Sequence, residues 1–215
     1  MYIYQVERTL LGKQIARCAH FMHGDVLDVG GGEKNRYKSL FTFKTFTCLD
    51  INEGPEVDIV ASADAIPLPD NSRDSIISTQ MLEHVKYPEK CVQEMYRVLK
   101  TGGHVLITAP QWNELHSEPV DFWRYTKYGF TELFERNGFR VVEYHQRGGF
   151  FSNAAQMTIR YCIDRFNLHT HPIGGRICSR LFQIAGTFAI FLDRHDKSVA
   201  NRKHAIGWCF VFQKK

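Results

Sequence analysis

From Asp25 to Phe139 the chain alternates between short β-rich apolar runs and stretches of helical periodicity, the pattern of a parallel sheet covered by helices. Strands are predicted at Asp25–Val29, Thr45–Leu49, Val57–Ala61, Asp74–Thr79 and His104–Thr108. Their apolar runs are continuous rather than alternating, as in strands buried on both faces. Tyr87–Leu99 carries Val92, Met95, Tyr96 and Leu99 at helical spacing, with Pro88 in a first-turn position and Thr101-Gly102-Gly103 as its stop. Thr131–Asn137 reads as a shorter helix closed by Gly138, and Gln5–Met22 as an amphipathic helix ahead of the sheet. A sixth strand is expected at Val141–Tyr144 and a last one at Ile206–Phe212. Between these two the chain is helical and apolar in places and has no β signal.

At 215 residues this is near the upper limit for one domain with one core. The expected layout is an N-terminal helix over 1–24, a core over 25–147, a helical insertion over 148–201 and a final strand over 202–215. A hydrophobic content of 44% excludes wholesale disorder. The net charge of +4 comes without a stripe of Lys/Arg along any predicted helix, which argues against a nucleic-acid surface. Six scattered cysteines, none in a Cys-x-x-Cys pair, read as small buried thiols of a reducing compartment. Glu7, Arg8 and Lys13 interrupt the N-terminus, so no signal segment is expected. Leu181–Leu192, the longest uncharged apolar run, is too short to span a bilayer. The expected location is the cytoplasm, extending to the inner face of the membrane.

The first predicted strand runs into Gly30-Gly31-Gly32, and a glycine-rich turn at a strand end lets an adenosine-containing ligand approach the backbone. A dinucleotide site wants Gly-x-Gly-x-x-Gly; Gly30 and Gly32 fit, but the third position falls on Asn35. Asp28, two residues ahead of the turn, is a poor neighbour for a pyrophosphate yet suits a ligand bearing an ammonium and a sulfonium. Asp50 at the end of the next strand can accept from both ribose hydroxyls. Asp64 can receive an adenine amino group, with the Ala65 N–H reaching the ring.

Residues Val26 to about Val142 resemble the class I S-adenosylmethionine-dependent methyltransferases, in particular the type 11 group. Val26-Leu27-Asp28-Val29-Gly30-Gly31-Gly32 looks like that family's first motif, and Cys48-Leu49-Asp50-Ile51 like its ribose-binding strand end. Asp64–Asp74 is similar to the adenine loop and fourth strand, Gln80-Met81-Leu82-Glu83-His84-Val85 to the helix start after it, and Glu94–Gly103 to the helix leading into strand five. The resemblance implies a Rossmann-like α/β fold: seven strands, mostly parallel, helices on both faces, an antiparallel last strand, and here a helical insertion before it. It also implies S-adenosylmethionine as cofactor, contacted by Asp28, Gly30, Gly32, Asp50, Ile51, Asp64, Ala65 and Gln80. Glu33-Lys34 makes a more charged helix start than the family shows.

The loop after strand five, Ala109 to Thr126, concentrates His, acidic, Arg and aromatic residues, as functional loops do. His116 is the candidate general base, assisted by Asp121, with Arg124 and Tyr125 holding the acceptor. The competing reading pairs Asp121 with Arg124 and packs the aromatics. The segment resembles a His-x-x-Pro-x-Asp-Phe-x-Arg-Tyr-Thr stretch of bacterial methyltransferases near polysaccharide-modifying enzymes, which implies a sugar or glycolipid acceptor; the expected reaction is methylation, at oxygen, of a small molecule or a glycan or glycolipid. His84 is a second base candidate, read here as a helix-start residue. No His-x-x-x-His spacing occurs, so no metal is expected. After strand four stands Thr79-Gln80-Met81-Leu82 rather than an Asn-Pro-Pro-Tyr type turn, so no nucleic-acid partner is expected. The runners-up are a quinone or other lipid-soluble small-molecule methyltransferase, and a non-catalytic cofactor-binding scaffold.

In the insertion, Ile177, Leu181, Ile184, Ala185, Phe188, Phe191 and Leu192 share one helical face over Arg176–Arg194. The plainer expectation is a lid packed on the sheet or on a second subunit of a homodimer. The sharper one is an interfacial helix that meets a membrane carrying a lipid-linked acceptor.

Overall fold

Valine, leucine and isoleucine runs too apolar for a solvent-facing strand place the centre of this chain inside a sheet: Val26, Leu27, Ile76, Ile77 and Val105–Ile107 are all buried. The computed structural model describes residues 2–32 and 36–215; Glu33, Lys34 and the third-glycine position Asn35 lie outside the described residues. In chain order it contains α1 (Val6–Cys18), β1 (Asp25–Val29), β2 (Thr45–Asp50), β3 (Ile59–Val60), β4 (Arg73–Thr79), α2 (Pro88–Val98) and β5 (Leu99–Pro110). There follow α3 (Lys127–Glu135), β6 (Phe139–Arg147), α4 (Phe150–Arg165), α5 (Pro172–His195), α6 (Val199–Arg202) and β7 (Gly207–Lys214).

All seven strands form one sheet in the order β3-β2-β1-β4-β5-β7-β6. β1 lies parallel between β2 and β4, with Asp28 level with Cys48 on one side and Ile77 on the other. β7 runs antiparallel: its end, at Gln213, bonds to Gly102 at the start of β5, and Ile206 just before it accepts from Gln111 just beyond β5. The expected α/β architecture with an antiparallel last strand is therefore present. The strand order reverses beside β1, so the carboxyl ends of β1 and β4 flank a crevice, the place where open parallel sheets bind ligands.

Element bounds differ from the sequence reading for local reasons. β3 is only two residues long, because Asp58 turns its carboxylate onto the Cys48 N–H (2.8 Å) and pairing starts at Ile59. Thr101-Gly102-Gly103 does not merely stop α2; it lies within β5, whose register against β4 shifts between Arg73 and Ser75. α3 starts at Lys127, four residues early, because the Thr126 hydroxyl accepts from Gly129 N–H and caps it. The cysteines are free, but only four are buried; Cys162 and Cys178 are partly exposed, against expectation.

Two compact units divide the chain. The larger, Gln14–Pro110, Leu115–His145 and Trp208–Lys215, holds the sheet core. Here Phe130, Phe134, Phe139, Phe210 and Phe212 pack together, Phe134 stacking on Phe212 at 4.2 Å. The smaller comprises Met1–Lys13, Gln111–Glu114 and Gln146–Gly207. Its core joins Ile3, Val6, Ile159, Ile163, Leu168 and Ile190. The free N–H groups at the start of α4 find acceptors on distant residues: Asp193 takes Gly149, Phe151 and Ser152, and Asn201 takes Phe150. The fully buried Arg147 donates to Glu7 at 2.6 Å.

Candidate functional site

β1 delivers its chain to Gly30, where φ is +76° and an added Cβ would come within 2.4 Å of Met81 Cγ; both facts require glycine. Gly30 N–H donates to Leu49 O (2.8 Å), tying the turn to β2. Gly32, at φ +68°, has open space among the described residues where a Cβ would stand and donates its N–H to Asp50 Oδ2 (3.0 Å). Asp50 Oδ1 accepts from Asn52 N–H (2.9 Å), so this carboxylate is held at the lip of the crevice. Ile51 beside it is exposed, as an apolar cover for a ring would be.

Asp28 is the least satisfied group of the site. Its side chain is buried, and Oδ1 has no hydrogen-bond partner among the described residues. Burial, and then the negative charge of Asp50, push its pKa up to about 7. Two neighbouring carboxylates, one of them buried with an Oδ1 that no described residue meets, fit a cationic group and repel a pyrophosphate.

Asp64 is half-buried and accepts from the Ser62 hydroxyl. The Ala65 N–H, expected to reach a ring, is instead engaged in a turn with Ser62 O (3.1 Å). This loop is braced by residues that the sequence reading did not single out. Arg97 donates to Ile66 O and Leu68 O (2.8 Å each) and to Glu94, which itself accepts from Ile66 N–H. Gln80, immediately after β4, adopts φ +52° with its N–H on Thr108; this left-handed residue redirects the chain so that Met81 lies under Gly30.

The loop after β5 forms a second cluster. Asp121, with its side chain buried, holds Arg124 through both oxygens (2.7 and 2.8 Å) and accepts from the His116 N–H (2.9 Å). The same carboxylate lies 3.4 Å from His116 Nδ1. The Arg124 guanidinium beside Asp121 holds its carboxyl far below the usual range, so it stays ionised. Both sequence readings of Asp121, as partner of His116 and as partner of Arg124, therefore coexist.

Two expectations are corrected. Tyr125 does not hold an acceptor: its hydroxyl donates to Leu82 O (3.2 Å), and it is buried against Phe130. His84 is more than a helix-start residue. Its ring meets the His116 ring edge-on at 4.9 Å, and its Nδ1 is hydrogen-bonded to Val120 O (2.7 Å). Burial lowers the His84 pKa, which favours its neutral form. The contact arises because Phe122 and Trp123 both donate backbone N–H groups to Glu83 O, folding the loop over that turn. One ligand-type atom each from Glu83, His84 and His116 consequently lie within 4.8 Å of one another, a grouping that linear spacing gave no reason to expect.

A glycine turn at the switch point, a buried acid behind it whose Oδ1 meets no described residue, and an acid at the end of the next strand suit an adenosine-type ligand that carries a methyl-donor's positive charge. Residues 27–107 match the family model described as a methyltransferase domain. The match spans well under half of the chain; what it supports is an enzyme similar to the class I S-adenosylmethionine-dependent methyltransferases, with S-adenosylmethionine as cofactor. Over 49 residues the chain is 45% identical to the ubiquinone/menaquinone biosynthesis C-methyltransferase UbiE of Citrobacter koseri, which covers 23% of this chain and only about a fifth (20%) of that protein. A putative methyltransferase structure from Bacillus halodurans superposes with a TM-score of 0.61 at 18% identity, covering 94% of this chain and 98% of that one. Haemonchus contortus phosphoethanolamine N-methyltransferase 2, in complex with S-adenosylhomocysteine, gives 0.58 at 17% identity, over 94% and 52% of the two chains. At such identities the structural likeness speaks for the fold.

Proposed function

We propose that the protein transfers the methyl group of S-adenosylmethionine to an oxygen of a small-molecule or glycan acceptor, with His116 as the general base. The observation that carries this reading is the His116–Asp121–Arg124 arrangement in the loop after β5. Bound at this site, S-adenosylmethionine supplies an electrophilic methyl group on a sulfonium. Asp50 would take the ribose hydroxyls, Asp28 the ammonium and Asp64 the adenine amino group. His116 Nε2 would take the proton of the acceptor hydroxyl whose oxygen receives that methyl group. Asp121, kept ionised by Arg124, orients the ring through Nδ1 and does not take the proton itself.

His84 stands beside His116 as a positioning residue. The Glu83–His84–His116 group serves proton transfer rather than a metal ion, since the Arg124 guanidinium, 3.5 Å from His116 Nδ1, opposes a second cation there. The short UbiE match supports a second reading, carbon methylation of a quinone-type ring.

The test is methyl transfer from labelled S-adenosylmethionine across nucleotide sugars, lipid-linked sugars and demethylated quinones. On the accepted substrate His116→Ala is expected to lose about 10²–10⁴-fold in kcat with unchanged cofactor affinity, and EDTA to leave turnover intact. Undiminished turnover in His116→Ala overturns the assignment of the base. A protein that binds the cofactor and methylates none of the panel is instead the non-catalytic scaffold.

A further inference from the structure

The apolar stripe expected in the insertion, as a lid face for the sheet or a second subunit or as an interfacial face, is open to solvent within this chain. Ile173, Ile177, Leu181, Ile184, Phe188 and Phe191 are all exposed, between 52% and 77%. At about 100° per residue these six side chains fall within roughly 80° of arc. They form one continuous line along α5, a 24-residue helix about 36 Å long. The helix already packs through its opposite side, Gly175, Gly186, Ala189 and Ile190. At Gly186 a Cβ would come within 2.6 Å of Tyr4, so that face is closely fitted. The exposed line is thus a second apolar face with no partner within the chain among the described residues, larger than scattered surface residues explain.

We propose that α5 lies in the interface of an anionic membrane, its exposed line in the acyl boundary and its arginines on the headgroups. Charge chooses this occupant. Arg176, Arg180 and Arg194 are exposed and lie about 20–60° around the helix from the Ile173 direction, immediately beside the line. The single acid of α5, Asp193, is taken up by the N–H groups at the start of α4. A second copy pairing through this face would bring arginines from both chains to the rim with no carboxylate on α5 to meet them. A surface of anionic headgroups supplies the missing charge, which is the arrangement of an interfacial helix. No described helix is long and apolar enough to cross a bilayer, so the contact lies in the plane of the surface. This proposal is independent of the acceptor assigned above.

The experiment is co-sedimentation of the whole protein with phosphatidylcholine vesicles containing 30% phosphatidylglycerol and with phosphatidylcholine alone. Wild type is expected to bind the anionic vesicles and to lose binding as salt rises. Leu181→Glu/Phe188→Glu, both at exposed positions, is expected to bind at least about tenfold more weakly. Arg176→Gln and Arg180→Gln should each cost about fivefold. Unchanged melting temperature and S-adenosylmethionine affinity in these variants show that folding and the cofactor site are intact. Absence of wild-type binding to anionic vesicles overturns the proposal. So does a sedimentation-velocity dimer that Leu181→Glu/Phe188→Glu dissociates without any change in vesicle binding.

Discussion

Replacing Asp28 with asparagine is expected to stabilise the cofactor-free protein while weakening its hold on the methyl donor. The carboxyl is buried, Oδ1 has no partner among the described residues, and its pKa is raised from 3.8 to about 7. The folded state therefore holds the proton more tightly than the unfolded chain. Between about pH 4 and 7 the unfolded state loses that proton first, so unfolding becomes easier as pH rises. The stability is fully present below the unfolded value and is gone once the pH has passed the folded one. A shift of roughly three units corresponds to about 4 kcal/mol, an upper bound that relaxation around the site reduces to about 2–3 kcal/mol. Asp28→Asn removes this penalty, so at pH 8 its melting temperature should rise by roughly 5–10 °C, with little difference at pH 4. Loss of a charge-assisted contact to the ligand ammonium should at the same time weaken S-adenosylmethionine binding by about 10–100-fold. Scanning fluorimetry from pH 4 to 8, with calorimetry at pH 8, measures both. A variant less stable than wild type at pH 8, or one that binds the cofactor equally well, would refute the reasoning.

Two further substitutions probe the scaffold. Gly30→Ala must accept a positive φ, costing about 1–2 kcal/mol, and must displace Met81; titration should show weaker cofactor binding in a protein that still folds. Arg147→Met leaves Glu7 buried without its partner and should cost about 3–5 kcal/mol in urea unfolding, most of it recovered in the Arg147→Met/Glu7→Gln double variant. A single variant as stable as wild type would contradict the buried pairing.

The sheet was legible because Val26–Leu27, Ile76–Ile77 and Val105–Ile107 are apolar without interruption, and the candidate acids Asp28 and Asp50 because they stand at or next to the end of a strand. Contacts between distant positions were not. His84 and His116 are 32 positions apart, and only the backbone bonds of Phe122 and Trp123 to Glu83 bring them together. Tyr125 could be taken for an acceptor contact because nothing in its neighbours reveals that its hydroxyl reaches Leu82. In α5 the periodicity revealed a stripe but not the side to which it turns. The packed face is built from Gly175, Gly186 and Ala189, small residues that contribute little to a hydrophobic pattern, so the pattern alone shows only the larger apolar line. Arg97 escaped notice because a bracing role depends on carbonyls presented by a loop about thirty residues away.

The central claim is that the Gly30–Gly32 turn with Asp28 and Asp50 holds S-adenosylmethionine, and calorimetry against that compound and NAD tests it most directly. Wild type should bind S-adenosylmethionine and not NAD, and Asp50→Ala should lose about 10–100-fold in affinity as the ribose hydroxyls lose their acceptor. Tight binding of NAD with no heat from S-adenosylmethionine would contradict the account.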